Sequence, residues 1–156
     1  MASADTARRM VIVQAGSFRC GIRVARVIET MRVLPIQPVA GAPPFVRGVA
    51  TIRGAPLPVL DLAAMLGAGA GGPGERLVTI RVAPGRALAL LIDKVIGVGT
   101  VDEAHLAPPP PLLADAFAGR VEALGALDGR ALAVLGEGRL LLPEQGWRAL
   151  GLPKPG

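Results

Sequence analysis

The chain has 156 residues, 51% of them hydrophobic, and its 17 basic side chains outnumber 12 acidic ones. This length and hydrophobicity predict one domain, or two small subdomains sharing a core, and exclude a disordered chain. No apolar run approaches the ~20 residues that cross a bilayer, and no secretory signal pattern is found. We therefore expect a cytoplasmic protein without direct membrane insertion.

Two further features of the composition narrow the class of protein. Cys20 is the single cysteine, so the chain cannot form an internal disulfide. The basic residues are scattered and form no cluster of five or more. We therefore do not expect nucleic acid as a partner, although a small nucleic-acid-binding barrel that uses the net positive charge is the alternative hypothesis.

The residues that precede the central hairpin predict a flexible tail, two strands, a short helix and a third strand. These elements are expected at residues 1–9, 10–15, 18–24, 25–31 and 33–36. Helical spacing would place Val24, Val27 and Ile28 on one side of the short helix. Cys20 falls on the apolar face of the second strand, which predicts a small core residue.

The central hairpin, residues 45–62, is the most informative stretch. A strand over 46–52 leads to an Arg53-Gly54 turn, because glycine takes the positive φ that a tight reversal demands. A second strand over 57–60 ends at Asp61, which we expect to cap a helix over 62–66. Alternation along the first strand predicts that Val46, Gly48, Ala50 and Ile52 face inward.

Residues 67–74 are rich in glycine, and residues 67–72 match the pattern G-x-G-x-x-G. A dinucleotide-binding loop follows a strand and opens a helix, so that the helix N-terminus meets the phosphates. Here the predicted helix precedes the glycines and a strand follows them. We therefore predict a flexible surface connection and no nucleotide site.

The second half predicts two more hairpins. Strands are expected at 76–82, 86–92, 94–98, 121–127, 131–135 and 140–142, extended polyproline at 108–111, and helices at 112–117 and 144–150. Placing Gly54 on Gly129, an offset of 75 residues, aligns Ile52 with Leu127 and Val59 with Val134. Many short strands and this echo suggest two small β-barrels side by side.

No group of residues predicts catalysis, a metal centre or a cofactor. His105 and Cys20 are the single histidine and cysteine, and nothing in the sequence places them together as a nucleophile and base. The cluster of Asp102, Glu103 and His105 lacks the further His or Cys ligand that a typical metal site needs. Asp61, Asp93 and Asp128 are explained by capping and turn roles.

In their order and spacing, several of these motifs resemble the chemotaxis coupling-protein (CheW-like) family. They are Val11-Ile-Val13, Cys20-Gly-Ile22, Val27-Ile-Glu29, Phe45-Val-Arg-Gly-Val49, Ile52-Arg-Gly54, Pro58-Val-Leu-Asp-Leu62, Leu91-Ile-Asp-Lys-Val95 and Gly125-Ala-Leu-Asp-Gly-Arg130. The resemblance covers residues 10–142 and implies a mainly β fold of two five-stranded, SH3-like barrel subdomains sharing a core. Residues 143–156 are then expected to form a C-terminal helix and tail.

The resemblance implies a non-catalytic adaptor with two protein partners, the cytoplasmic tip of a chemoreceptor and the regulatory domain of a histidine autokinase. It places Val27, Glu29, Gly48 and Arg53 at or near partner contacts. It also implies an intersubdomain groove for the receptor helix. That groove would draw on Val24, Val27, Ile28, Val95 and Val98.

Structural roles are the alternatives for these same residues. The valines could be plain core, and Gly48 could be small so that the barrel closes. Arg53 could hold loop carbonyls, and Glu29 could be merely solvated. An adaptor of a pilus or developmental array is an equally open alternative to chemotaxis.

Overall fold

The computed structural model of the chain describes residues 7–67, 74–117, 119–140 and 144–152. Most of the predicted N-terminal tail, the glycine-rich connection at 68–73 and the tail at 153–156 lie outside the described residues.

Ten strands and three short α-helices make up most of the described chain. The strands are β1 Ala7–Ala15, β2 Phe18–Arg23, β3 Val27–Arg32, β4 Val46–Ile52, β5 Ala55–Asp61, β6 Arg76–Ala83, β7 Arg86–Ile92, β8 Lys94–Asp102, β9 Val121–Leu127 and β10 Arg130–Leu135. The helices are α1 Leu62–Met65, α2 Pro111–Ala116 and α3 Glu144–Ala149. Three 3-10 turns lie at Val24–Arg26, Glu103–His105 and Glu137–Leu140.

The strands form two five-stranded sheets, so the mainly β prediction is confirmed. The first sheet has the order β8-β1-β2-β10-β9, and the second has the order β3-β6-β7-β5-β4. Neighbours are antiparallel except for β2 with β10 and β5 with β7. Each half of the chain gives two strands to one sheet and three to the other, so the halves are interlocked.

The two halves repeat each other, which confirms the echo between the hairpins. In both hairpins, β4–β5 and β9–β10, the first strand has a one-residue β-bulge near its start, where one residue has no partner in the ladder. The pairs that flank this bulge are Val46–Leu60 and Gly48–Val59 in one hairpin and Val121–Leu135 and Ala123–Val134 in the other. Each residue of the first pairs lies 75 positions before its equivalent in the second. The same offset relates α1, which follows the first hairpin, to the 3-10 turn Glu137–Leu140, which follows the second.

The expected closed barrels are not found, because the ladders leave the outer strands of each sheet apart. Among the described residues, one isolated bridge spans each gap. Gln37, beyond β3, bridges to Val49 on β4, and Ala107, beyond β8, bridges to Leu124 on β9. A proline follows both Gln37 and Ala107 and brings no N–H to a ladder, which helps explain why each pairing stays so short.

The predicted helix over residues 25–31 is wrong. One 3-10 turn leads directly into strand β3, which pairs with β6. Val27, Ile28 and Thr30 are β-branched and favour a strand when a partner strand is available. Val27 is half-buried and Ile28 is exposed, so these two side chains do not share one side.

Three smaller predictions also differ from the structure. Residues 33–36 form no strand, consistent with Pro35 in their midst. The continuation expected after Asp93 is a separate strand, β8, which leaves the second sheet and pairs with β1 in the first. Leu140 ends a 3-10 turn rather than starting a strand, and residues 141 and 142 lie outside the described residues.

One large buried cluster joins the two sheets. It contains Cys20 of the first sheet, Leu60 and Leu90 of the second, and Trp147 of α3. Each sheet also has a smaller cluster of its own, which does not include residues of the other. The core therefore holds the two sheets, and the surfaces they carry, in a fixed relation.

No helix within residues 7–67, 74–117, 119–140 and 144–152 combines the length and apolar character needed to span a bilayer.

Candidate functional site

Glu29 and Arg53 form a two-bonded ion pair. Arg53 Nε donates to Glu29 Oε2 at 3.1 Å and Nη2 donates to Oε1 at 2.8 Å. The Arg53 side chain is 80% exposed and the Glu29 side chain 25%. Two residues singled out from separate motifs are thus brought together, and the guanidinium projects from the surface at the tip of the central hairpin.

Neighbouring strands position both partners of this pair. Thr79 on β6 fixes the β3 backbone, since its hydroxyl accepts from Glu29 N at 3.2 Å and donates to Glu29 O at 3.3 Å. Arg53 occupies the turn in a left-handed conformation, with φ of 53°. Hydrogen bonds from Arg53 lower the pKa of the Glu29 carboxyl. Partial desolvation opposes this by raising the pKa, and the positive charge of Arg53 lowers it further. The pair raises the pKa of Arg53 for the reciprocal reason.

Gly48 lies inside the structure and not on its surface. Its backbone has φ of +142°, and a Cβ there would lie 2.1 Å from the carbonyl oxygen of Gln37. Glycine thus allows the segment around Gln37 to approach β4 closely enough to pair with Val49. The two backbone N···O distances of this bridge are 2.8 and 2.9 Å. The part that Gly48 plays here is to position the edge of β4.

The five residues expected to line a groove divide into two groups. Val24, Val27 and Val95 are half-buried and pack against the main core. Ile28 and Val98 are exposed, by 46% and 56%. These two lie on β3 and β8, which are outer strands of different sheets.

Sequence reasoning missed two exposed apolar residues nearby. Ile96 on β8 is 41% exposed, and Val33, directly after β3, is 36% exposed. A second internal offset, of 68 residues, aligns Val27-Ile28 with Val95-Ile96. Both dipeptides sit where a ladder shifts register, between Val27 and Glu29 on β3 and opposite Ile12 and Val13 on β8. Comparison of the two halves would have found Ile96.

A second ion pair supports the base of the central hairpin. Arg47 donates from Nε and Nη2 to Asp61 Oδ2 at 3.1 and 2.8 Å, and Asp61 Oδ1 accepts from Ala64 N at 3.2 Å. Asp61 is buried, and it caps α1 as predicted. This pair is structural, because both of its carboxylate oxygens are engaged within the fold.

Among the described residues, Cys20, His105 and Asp93 lie in separate places with different local roles. Cys20 is buried, and burial raises the pKa of its thiol to about 12. His105 lies on an exposed turn beside Asp102, with 3.9 Å between Nδ1 and Oδ2. Asp93 accepts from the backbone N of Gly16 at 2.9 Å. Within the described part of the chain, no group of three or more His, Cys, Asp or Glu side chains could hold a metal ion.

Comparison with known proteins gives one consistent result. The family model described as the CheW-like domain matches residues 9–142. A chemotaxis protein CheW of Rhizobium meliloti is 28% identical over 129 residues, which cover 82% of this chain and 83% of that protein. Protein FrzA of Myxococcus xanthus is 33% identical over 99 residues, covering 62% and 61%.

A solved structure agrees with the sequence matches. The scaffolding protein TtCheW from Thermoanaerobacter tengcongensis superposes with a TM-score of 0.74 at 25% identity. The alignment covers 82% of this chain and 88% of that structure.

Proposed function

Because the chain belongs to the CheW-like domain family, we propose that it is a non-catalytic adaptor that couples chemoreceptors to a CheA-type histidine autokinase. The Glu29–Arg53 pair is the observation that carries this proposal beyond family membership. An exposed guanidinium held by a carboxylate on an adjacent strand is a preorganised contact for a partner protein, because little side-chain freedom remains to be lost on binding.

We assign the kinase's regulatory domain to the face around this pair. On this chain, the contact residues of that face are Glu29 and Arg53, and Gly48 sets the shape of the strand beneath them. Arg53 offers donors at the tip of a hairpin, and the buried base of that hairpin is fixed by Arg47 and Asp61. A rigid support of this kind favours a specific protein interface over a mobile one.

We assign the chemoreceptor tip to the apolar residues of β3 and β8. Ile28 and Val98 would contact an amphipathic helix, as exposed apolar side chains in a groove do. Val24, Val27 and Val95 would form the floor beneath them, since they are half-buried against the core. Exposed apolar residues on both outer strands are what this mode of binding requires.

Residues 10–142 are the proposed adaptor domain, and residues 143–156 a C-terminal extension of it. We regard the two open sheets as SH3-like subdomains, each completed by a single bridge in place of a full barrel seam. The proposed site of action is the cytoplasm, where the family's two partners meet. A pilus or developmental array would use the same surfaces with another receptor and kinase.

The test is binding of the purified chain to the regulatory domain of a CheA-type histidine autokinase, measured by titration calorimetry. Arg53→Glu is expected to weaken binding about tenfold or more, since it reverses a charge at the interface. Arg130→Glu, an exposed arginine on the equivalent hairpin, is the matched control and should bind as the wild type does. Equal binding by Arg53→Glu and wild type would reject this site.

The receptor assignment needs a separate variant. Val27→Asp would place a charge against the core and lower stability, so the exposed Ile28→Asp is the better choice. It should weaken binding of the receptor tip and leave kinase binding unchanged. Loss of both, with the fold intact by circular dichroism, would contradict two separate faces.

A further inference from the structure

The strand β4 has an open backbone edge at Thr51. Val49 directs both its N–H and its C=O away from β5, because both bond to Gln37. Residues two apart in a strand direct these groups to the same side. Thr51 therefore also directs an N–H and a C=O away from β5. Within the described residues, the strand residue opposite Thr51 is Pro56, which lies on the β5 side.

The segment that follows β3 cannot complete this edge with a full ladder pair. In the antiparallel register set by Gln37 and Val49, the residue opposite Thr51 is Pro35. Proline has no N–H and cannot donate to the Thr51 carbonyl. Residues 33–36 accordingly form no strand beside β4.

A notch of about 310 Å³ lies at this open edge, lined by Pro35, Ile36, Gln37, Val49 and Thr51. Its lining mixes apolar side chains with the polar Gln37 and Thr51. Among the residues that the structure describes, the Thr51 N–H and C=O have no ladder partner on this side. Those are the requirements for adding an extended segment to a sheet, in which main-chain bonds give affinity and alternate side chains fill pockets. The notch is also continuous with the proposed kinase face, because Arg53 follows Thr51 by two residues.

We propose that an extended segment of the kinase's regulatory domain adds to β4 at Thr51, where it forms one further bridged pair on the edge that Gln37 already occupies at Val49. This inference rests on the proposed function and states how that partner binds. The added segment would exchange hydrogen bonds with Thr51 N and O, and one apolar side chain would enter the notch beside Ile36 and Val49.

Hydrogen exchange of the wild-type chain, alone and with the regulatory domain, is the first test. The Thr51 amide should exchange at least tenfold more slowly in the complex, as newly bonded amides do. The amides of Ala50 and Ile52 face β5 and should already be slow in the free chain. The second test is Thr51→Pro, which removes the edge donor without removing a bond to β5, and it should weaken binding about tenfold or more.

The internal repeat provides a matched control. Ala126 is the equivalent of Thr51 on β9, and its backbone groups likewise point away from the partner strand β10. Ala126→Pro should therefore bind as the wild type does. Thr51→Val, which changes the side chain and keeps the N–H, should also bind normally.

The outcomes separate this inference from the function it rests on. If the wild type binds the regulatory domain while the Thr51 amide stays fast, or Thr51→Pro binds equally well, strand addition is wrong and the adaptor function stands. If the wild type does not bind the regulatory domain, the proposed function fails first. Protection of Thr51 that depends on the concentration of the chain alone would make the occupant a second copy and overturn the assignment to the kinase.

Discussion

Arg53 and Asp128 adopt the same left-handed backbone conformation, with φ of 53° and 52°, at equivalent positions of the two hairpins. A glycine with positive φ follows each of them, as the tight hairpin turn demands. Aspartate tolerates this conformation more readily than arginine does. The turn geometry therefore does not account for arginine at position 53, whereas its contact with Glu29 does.

The turn at Asp128 should be sensitive to side-chain branching. We expect Asp128→Val to lower the free energy of unfolding by about 1–2 kcal/mol, because a β-branched residue is strained at positive φ. Ala126→Val, two residues earlier on the exposed side of β9, should stay within about 0.5 kcal/mol of the wild type. Urea unfolding measures both, and equal stabilities would contradict the left-handed turn.

The Glu29 carboxyl should titrate below its ordinary pKa of 4.5. Because its folded pKa is depressed, the stability contributed by the pair is present above the ordinary value and is lost as pH falls through the folded value. Carbon-detected NMR of the carboxyl measures the midpoint. In Arg53→Gln the midpoint should move up towards 4.5, and an unchanged midpoint would mean that the pair does not form in solution.

Gly48→Ala should destabilise the chain strongly. The new Cβ would meet the Gln37 carbonyl at 2.1 Å, and alanine is strained at φ of +142°. Backbone strain and overpacking together predict a loss of about 2–5 kcal/mol in the free energy of unfolding. Gly138→Ala, where a Cβ meets nothing within 4 Å, is the control and should be close to neutral.

Cys20 should make the chain less stable in alkali. Burial raises the pKa of its thiol from 9.0 to about 12, so the folded state keeps a proton that the unfolded state has lost. Stability is then fully present below pH 9 and falls between pH 9 and about 12, by up to about 1.4 kcal/mol per pH unit.

The composition makes this alkaline effect measurable. The chain has no tyrosine, so no phenol titrates in the same range. Chemical unfolding at a series of pH values should show a shallower decline in Cys20→Ala. Parallel declines in the two proteins would show that the thiol is not protonated in the folded state.

Trp147 should anchor α3 to the core even though the family model ends at residue 142. Its ring is buried, and the Arg86 guanidinium lies 4.4 Å from the ring centroid. Trp147→Ala is expected to cost about 3–5 kcal/mol in the free energy of unfolding, as large-to-small core changes do. Arg148→Ala, at an exposed neighbour, should change it by less than about 0.5 kcal/mol. A small effect of Trp147→Ala would make the helix dispensable.

Local patterns predicted the hairpins well. The strand at 46–52, the turn at Arg53-Gly54 and the cap at Asp61 follow from alternation, positive φ and an N-cap side chain, all of which act within a few residues. The equivalent hairpin beginning at Val121 follows for the same reasons. Cys20 was placed correctly in the core because it lies on an apolar strand face.

Long-range pairing could not be predicted in the same way. Residues 25–31 have helical spacing, but β6 offers them a partner some fifty residues away, as the Glu29–Thr79 bonds demonstrate. Local pattern also does not reveal that β8 leaves the sheet of β7, the strand before it, and joins the other sheet. The Glu29–Arg53 ion pair was missed for this reason too, although the family resemblance had singled out both residues.

The interlocked sheets determine the order in which a ribosome can complete them. All five strands of the second sheet have been synthesised once Ile92 has been added, whereas the first sheet needs Leu135. When Ile92 has just been added, β1 and β2 have only each other as partners, and the strand that pairs Val95 with Val13 is still to come. A nascent chain stalled just after Ile92 would hold one finished sheet and one exposed hairpin, the kind of intermediate that chaperones bind.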